Sequence, residues 1–274
     1  MKLSLHSVIL GQPLSFEELL ALAAKYDYEG VDDGFGYALS EGPEAYLDLC
    51  GKYMVYGSTW GHGVEWRQDE DTFKAGMAGL AEKAKVAQAI GCDRTCDWIM
   101  PGVDGDAQEA LATWTRRWGE MGKVLADEGS RLGLEFVGPR HIRVGKNVTL
   151  WRMDQLLNIE ADLGLPNLGL LLDSFHWFNA EHSVAELEAL PQEKVVHVHL
   201  NAAPDRSLDD QQDFERLAPG EGIIDLVGFL GALKKIGYDG YMGVEIFSQE
   251  LRELPNDEAA ARVKAGYDAL MAKV

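Results

Sequence analysis

Leu168-Gly-Leu-Leu-Leu-Asp173 is apolar up to its last position, where a carboxylate meets loop-like sequence. A run so short and so apolar reads as a strand buried on both faces, the environment of a parallel sheet covered by helices. Three more runs have the same form: Leu132-Gly-Leu-Glu-Phe-Val137, Val195-Val-His-Val-His199 and Tyr241-Met-Gly-Val-Glu245. Each carries an acidic residue or a histidine at or near its end. Where parallel strands close into a barrel, their C-terminal ends open onto one face. Glu135, Asp173, His199 and Glu245 are therefore expected to converge there.

Side chains alternate between the faces of a strand. Placing Glu135 inward also turns Gly133 and Val137 inward and sends Leu134 and Phe136 out toward covering helices. With Glu245 inward, Gly243 and Tyr241 share its side while Met242 and Val244 pack outside; with Asp173 inward, Leu170 and Leu172 pack outside. Buried carboxylates are costly unless paired or metal-bound. One divalent cation is the simplest way to hold three of them beside an imidazole.

Strand-like runs recur eight times, at Lys2–Ser7, Gly30–Asp33, Met54–Thr59, Arg94–Ile99, Leu132–Val137, Leu168–Asp173, Lys194–Leu200 and Tyr241–Phe247. Amphipathic helical stretches lie between them, among them Ser15–Tyr26, Asp71–Ile90, Asp106–Gly129, Leu150–Leu163, Ile224–Ile236 and Asn256–Lys273. Ser15-Phe-Glu-Glu18 has the form of a capping box, and Gly91 and Gly237 read as helix stops. Eight βα units over this length predict an α/β fold, a (β/α)8 TIM barrel, as one domain over residues 1–274. The alternative, an open doubly wound sheet, lacks the glycine-rich nucleotide turn after its first strand. The stretch Asn201–Gly222 is long, polar and acidic, and its place after the seventh strand suggests a lid.

The 46% of hydrophobic residues supply a core, and no apolar run is long enough to span a bilayer. The start, Met1-Lys-Leu-Ser-Leu-His-Ser7, lacks a secretory h-region, so the expectation is a cytoplasmic protein with no membrane partner. A net charge of −20 argues against nucleic acid, whose affinity rests on Lys and Arg neutralising phosphates. Cys50, Cys92 and Cys96 form neither an even disulfide framework nor a paired zinc motif, and are expected as reduced, buried thiols.

Asp173-Ser-Phe-His176, His197-Val-His199, Pro219-Gly-Glu-Gly222 and Gly237-Tyr-Asp-Gly-Tyr-Met-Gly-Val-Glu245 together resemble the sugar (phosphate) isomerase/epimerase family of xylose isomerase-like barrels. That family includes ketose 3-epimerases, hydroxypyruvate isomerases, and inosose isomerases and dehydratases. The resemblance covers essentially the whole chain. It implies one divalent ion held by Glu135, Asp173, His199 and Glu245, with Mn2+ expected and Mg2+, Co2+ or Zn2+ as alternatives, and no organic cofactor. It also implies that Glu135 and Glu245 are the proton-transfer pair. A cation chelated by a carbonyl and a neighbouring hydroxyl stabilises the enediolate left when the adjacent hydrogen departs.

The resemblance gives His176 a substrate contact. His197 faces the same way as His199 one layer deeper, as a partner to a ligand. Arg216, three residues before Pro219, matches a substrate-contacting arginine counted back from the Pro-Gly turn but not counted forward from His199. A solvated surface arginine is the other reading. His141 stands six residues after Glu135, where ketose epimerases carry a glutamate, and is a candidate substrate residue within the basic run Arg140–Lys146; a solvated loop is the alternative. Trp60 and His62 follow strand three and are candidates to face a sugar, although tryptophans at barrel ends, Trp98 and Trp177 included, also serve as packing. Asp33 could reach the mouth but has no metal role in the family pattern.

The resulting expectation is a metal-dependent isomerase or epimerase of a small ketose or polyol ketone, a sugar-derived substrate without phosphate, with a homo-oligomer left open. The rival within the same site is a lyase that abstracts the same proton and expels a β-leaving group, as inosose dehydratases and C-glycoside-cleaving enzymes do. A DNA-repair endonuclease would need more histidines for a multinuclear zinc cluster. A non-catalytic sugar binder would not need paired carboxylates on one metal.

Overall fold

In the computed structural model, which describes residues 1–274, eight parallel strands form one sheet. They are β1 (Lys2–Leu5), β2 (Gly30–Val31), β3 (Tyr56–Gly57), β4 (Arg94–Trp98), β5 (Arg131–Glu135), β6 (Leu168–Asp173), β7 (Val195–His199) and β8 (Tyr241–Gly243). The order is β3-β2-β1-β8-β7-β6-β5-β4, so first and last strands pair through Lys2 opposite Tyr241. Between β3 and β4, the Trp60 N–H donates to the Arg94 carbonyl over 3.0 Å and the Thr95 hydroxyl donates to the Trp60 carbonyl over 2.6 Å. The sheet thus closes into a barrel.

Alternation along the strands builds two layers. Leu134, Phe136, Leu170, Leu172, Met242 and Val244 are buried outside the barrel wall, within a core of 64 buried apolar residues. Burying each such side chain contributes roughly 1.5–3 kcal/mol before entropy is counted. Inside the wall, a Cβ on Gly133 would sit 2.9 Å from Cys96 Sγ on β4 and 3.1 Å from Val196 Cβ on β7, so glycine makes room for groups that enter the lumen from other strands. A register shift in the β6–β7 pairing, where Leu170 faces Val195 and Leu171 faces His197, leaves Val196 unpaired as a bulge.

The caps follow from the sequence. Ser15 and Glu18 form a reciprocal capping box at the helix Phe16–Lys25. Gly91 and Gly237 take left-handed φ values of 73° and 80°, ending the helices before β4 and β8. The expected helix over Asp71–Ile90 is instead two, Glu70–Ala78 and Leu80–Ala89, divided at Gly79. Helices Phe35–Glu41 and Pro43–Tyr53, between β2 and β3, were not anticipated; Pro43 opens the second of them behind Gly42. Nor was a small antiparallel ribbon joining Gly102–Val103 to Asn147–Val148 across the loops after β4 and β5. No helix is long and apolar enough to cross a membrane. The three cysteines are free thiols, with Cys50 and Cys92 buried.

Candidate metal centre

Glu135, Asp173 and His199 are the last residues of β5, β6 and β7, and Glu245 lies just past β8. Their ligand atoms all lie within 4.8 Å of one another. His199 Nδ1 is 3.7 Å from Glu135 Oε1, 3.9 Å from Asp173 Oδ2 and 3.4 Å from Glu245 Oε2. A tetrahedral shell with bonds of about 2.1 Å has edges of roughly 3.4 Å, and the three edges that meet at His199 Nδ1 are within a few tenths of an ångström of that. Glu135 Oε1 and His199 Nδ1 are buried without a hydrogen-bond partner. Because unpartnered buried polar atoms are costly, the donor set fits a divalent cation at this point.

Burial, reinforced by Glu245 and Asp173, pushes the Glu135 carboxyl above its usual range against the pull of His199 and His176. Burial works against the ionised form of Glu245 too, but His199 and Arg216 outweigh it and hold that carboxyl well below the usual range. Burial likewise opposes the charge on His199, and Glu245 and Glu135 overcome it, raising the imidazole well above its ordinary value.

Asp173 is fixed on both oxygens. Its Oδ1 accepts from the Phe175 and His176 N–H groups at 2.7 and 3.0 Å, capping the helix Ser174–Asn179. Its Oδ2 accepts from the Asn201 amide at 2.8 Å and from Arg216 Nη1 at 3.0 Å. The surface alternative for Arg216 does not hold: the side chain is 1% exposed, with its guanidinium between Phe175 and Phe247. Nη1 also donates to Glu245 Oε2 at 2.8 Å, and Nη2 donates to Asp213 Oδ1 at 2.8 Å. His176 Nε2 lies 3.3 Å from Arg216 Nη2 and 4.0 Å from Glu135 Oε2. Arg216, His176, Glu135 and Glu245 line one cavity at the mouth.

The remaining candidates divide. Trp60 lines an inner cavity with Asp32, His199 and Glu245, its ring tilted on Phe35. His62 is turned away: Nδ1 accepts from the Val64 N–H at 2.9 Å and Nε2 lies 3.2 Å from Asp97. His141 places Nδ1 3.1 Å from the Gln211 carbonyl and, with the Arg140–Asp209 ion pair, ties the short helix Arg140–Arg143 to the long loop. Neither His62 nor His141 lines the two cavities at the cluster. The loop after β7 is folded on itself, with Ala202 and Leu217 exchanging backbone hydrogen bonds at 2.9 and 2.8 Å. Trp177 is buried against Phe229 as packing, while Trp98 is exposed at the mouth.

Asp32, not Asp33, is the β2 carboxylate that enters the barrel. Its Oδ1 accepts from the Ser4 hydroxyl at 2.6 Å and from Ser58, and lies 3.7 Å from His197 Nε2. A Cβ on Gly243 would come within 1.8 Å of Asp32 Oδ2, so only glycine fits there. Asp33 instead accepts from the Ser7 N–H outside the lumen. The signal was available in Gly30-Val-Asp-Asp33: Val31 must pack outward, which turns Asp32 inward. His6, whose ring meets that of His199 edge-on at 6.0 Å, was also missed.

A family model described as "Xylose isomerase-like TIM barrel" matches residues 20–270. The chain is 30% identical to an inosose isomerase of Bacillus subtilis over 145 residues, 53% of this chain and 50% of the relative. It is 30% identical to a 3-dehydroshikimate dehydratase of Pseudomonas putida over 200 residues, 70% of this chain and 29% of the relative. The chain thus spans about half the length of the inosose isomerases it matches, and less of the dehydratase. Among solved structures, a xylose isomerase domain protein of Alicyclobacillus acidocaldarius superposes with a TM-score of 0.92 at 28% identity, covering 100% of this chain and 99% of the other.

Proposed function

The chain belongs to the xylose isomerase-like TIM barrel family, and from that premise we propose that it is a divalent-metal-dependent isomerase or epimerase of a sugar-derived ketone. The observation that carries this reading is the convergence of Glu135, Asp173, His199 and Glu245 with two buried donor atoms unpartnered. A divalent ion held by these four residues would supply a Lewis acid that polarises a carbonyl oxygen and makes the neighbouring C–H more acidic.

The protein's own residues do the rest. Glu135 and Glu245 line the mouth cavity from β5 and from beyond β8, with β6 and β7 between them, so their carboxylates reach a bound ring from different directions. One removes the proton beside the carbonyl and the other returns one, giving an enediolate between the two transfers. His176 borders the same cavity and orients a substrate oxygen, while Arg216, Asn201 and the backbone N–H groups of 175 and 176 hold Asp173 in place and Arg216 also holds Glu245. Burial of the cluster excludes bulk water from the transferred proton.

A lyase is the second reading, favoured by the similarity to 3-dehydroshikimate dehydratase over 70% of the chain. Turnover of inososes and ketoses in heavy water, followed by NMR, separates the two. Deuterium beside the carbonyl of an isomeric product supports the isomerase, and an unsaturated product that has lost water supports the lyase. Near-normal turnover in both Glu135→Gln and Glu245→Gln refutes the paired-glutamate mechanism.

A further inference from the structure

The mouth cavity, of about 360 Å³, is chemically two-sided. Glu135, His176, Asp213, Arg216 and Glu245 supply its polar lining, with Asp213 held by Arg216, and Trp98, Met100, Val137, Ile142, Phe214 and Phe247 supply the apolar remainder. These six apolar side chains come from four separate parts of the barrel rim. Phe214 is 71% exposed and Trp98 45%, and Phe214 stands on a polar, charged stretch of chain. Phe214 meets Phe247 with ring centroids 5.5 Å apart, and its outer face is open.

A substrate made only of hydroxyls would turn some of them toward this wall, where the Trp98 indole N–H is the one polar group able to replace the lost water hydrogen bonds. An anionic group fares no better. Arg216 is taken up by Asp173, Asp213 and Glu245, and Arg67, which lies over Trp98, is paired with Asp97. What the wall matches is an uncharged, flat, apolar ring, which would cover the faces of Trp98, Phe214 and Phe247 and release the water on them.

We propose that this wall is a subsite for an aryl group carried by the substrate next to its ketone-bearing part. The proposal rests on the reading that the carboxylate cluster handles a hydroxyketone. The aryl group lies against Phe214, Phe247 and Trp98 while the oxygens of the same molecule face Glu135, His176 and Glu245. The loop that contributes Arg216 to the cluster contributes Phe214 to the wall, so one segment serves both halves of the ligand.

The test uses two ketones with the same hydroxyketone head, hydroxyacetone and 2-hydroxyacetophenone, which differ by methyl against phenyl. Calorimetric titration of the zinc-loaded full chain is expected to give at least about tenfold tighter binding of the phenyl ketone. In Phe214→Ser and in Ile142→Ser the ratio falls toward one. Equal affinities in the wild type, no binding of the phenyl ketone, or a phenyl preference that survives both substitutions overturns the subsite. Sedimentation on the same samples checks the competing occupant: a wild-type dimer that Phe214→Ser converts to monomer makes the wall an interface between copies and overturns the proposal. Titration with zinc alone separates this from the functional reading. Zinc bound without phenyl preference removes the subsite only, and phenyl preference without zinc binding removes the functional reading only.

Discussion

Arg216 donates to the Glu245 carboxylate over 2.8 Å, so a residue of the loop after β7 holds a candidate metal ligand that stands beyond β8. The same Nη1 reaches Asp173 Oδ2 at 3.0 Å. Loop and cluster are joined through one buried guanidinium, and the charge balance of the site depends on both.

Removal of Arg216 should therefore cost more without metal than with it. Arg216→Ala leaves Asp173, Asp213 and Glu245 without their shared cation, and breaking a buried ion pair on one side costs about 3–5 kcal/mol. A bound divalent ion supplies replacement charge at two of those carboxylates. Urea denaturation of wild type and variant, with and without zinc, is expected to show the smaller difference in the metal-loaded pair. Equal differences in both states would separate the loop from the metal centre.

Metal should stabilise the fold by mass action. At a free concentration about 100 times Kd the gain is about 2.7 kcal/mol, which for a chain of this size raises Tm by roughly 5 °C. Asp173→Asn and His199→Ala are expected to lose most of that gain, as read by thermal melts beside metal analysis. Full metal content in both variants would remove these residues from the ligand set.

Glu160, in the helix Met153–Leu163, gives a stability term far from the site. Its side chain is fully buried, Oε1 has no partner, and Lys194 Nζ stands 3.4 Å from Oε2. Burial, only partly offset by Lys194, pushes the carboxyl up to about 7. The native state thus holds the proton more tightly than the unfolded chain. The stabilisation is complete below pH about 4.5 and is lost as pH rises through about 7, a term on the order of 3 kcal/mol. Denaturation curves across that window should fall less steeply for Glu160→Gln. Parallel curves for the two proteins would count against it.

Gly243→Ala tests the close approach of β8 to Asp32. The added methyl would meet Asp32 Oδ2 at 1.8 Å, and overpacking of this kind costs roughly 1–3 kcal/mol. Because the clash needs both partners, Asp32→Ala should remove most of that cost in the double variant, a non-additivity measurable by chemical denaturation. Additive effects would mean that the clash is relieved elsewhere.

The barrel was legible because its signal is local. Apolar runs closed by polar residues mark strands, and a period of two sets which side chains face the lumen; Glu135, Asp173 and His199 close β5, β6 and β7 in the structure as in the sequence. That logic, applied to Gly30–Asp33, would also have chosen Asp32 over Asp33. Loops have no such period, so the same reasoning could not trace them. The sequence points His141 and His62 toward the mouth, yet their rings go to the Gln211 carbonyl and to Asp97.

From its sequence alone this chain determined the barrel, the four residues at its strand ends and the acidic character of the molecule, because burial and alternation act over a few neighbouring positions. Tertiary structure decided that Arg216 is buried against Asp173 and Glu245, that Asp32 fits under the cluster where Gly243 has no side chain, and that six apolar groups share a cavity with the carboxylates. These are meetings between residues far apart in the chain. Their outcome depends on loop paths and strand register, which only the closed barrel fixes.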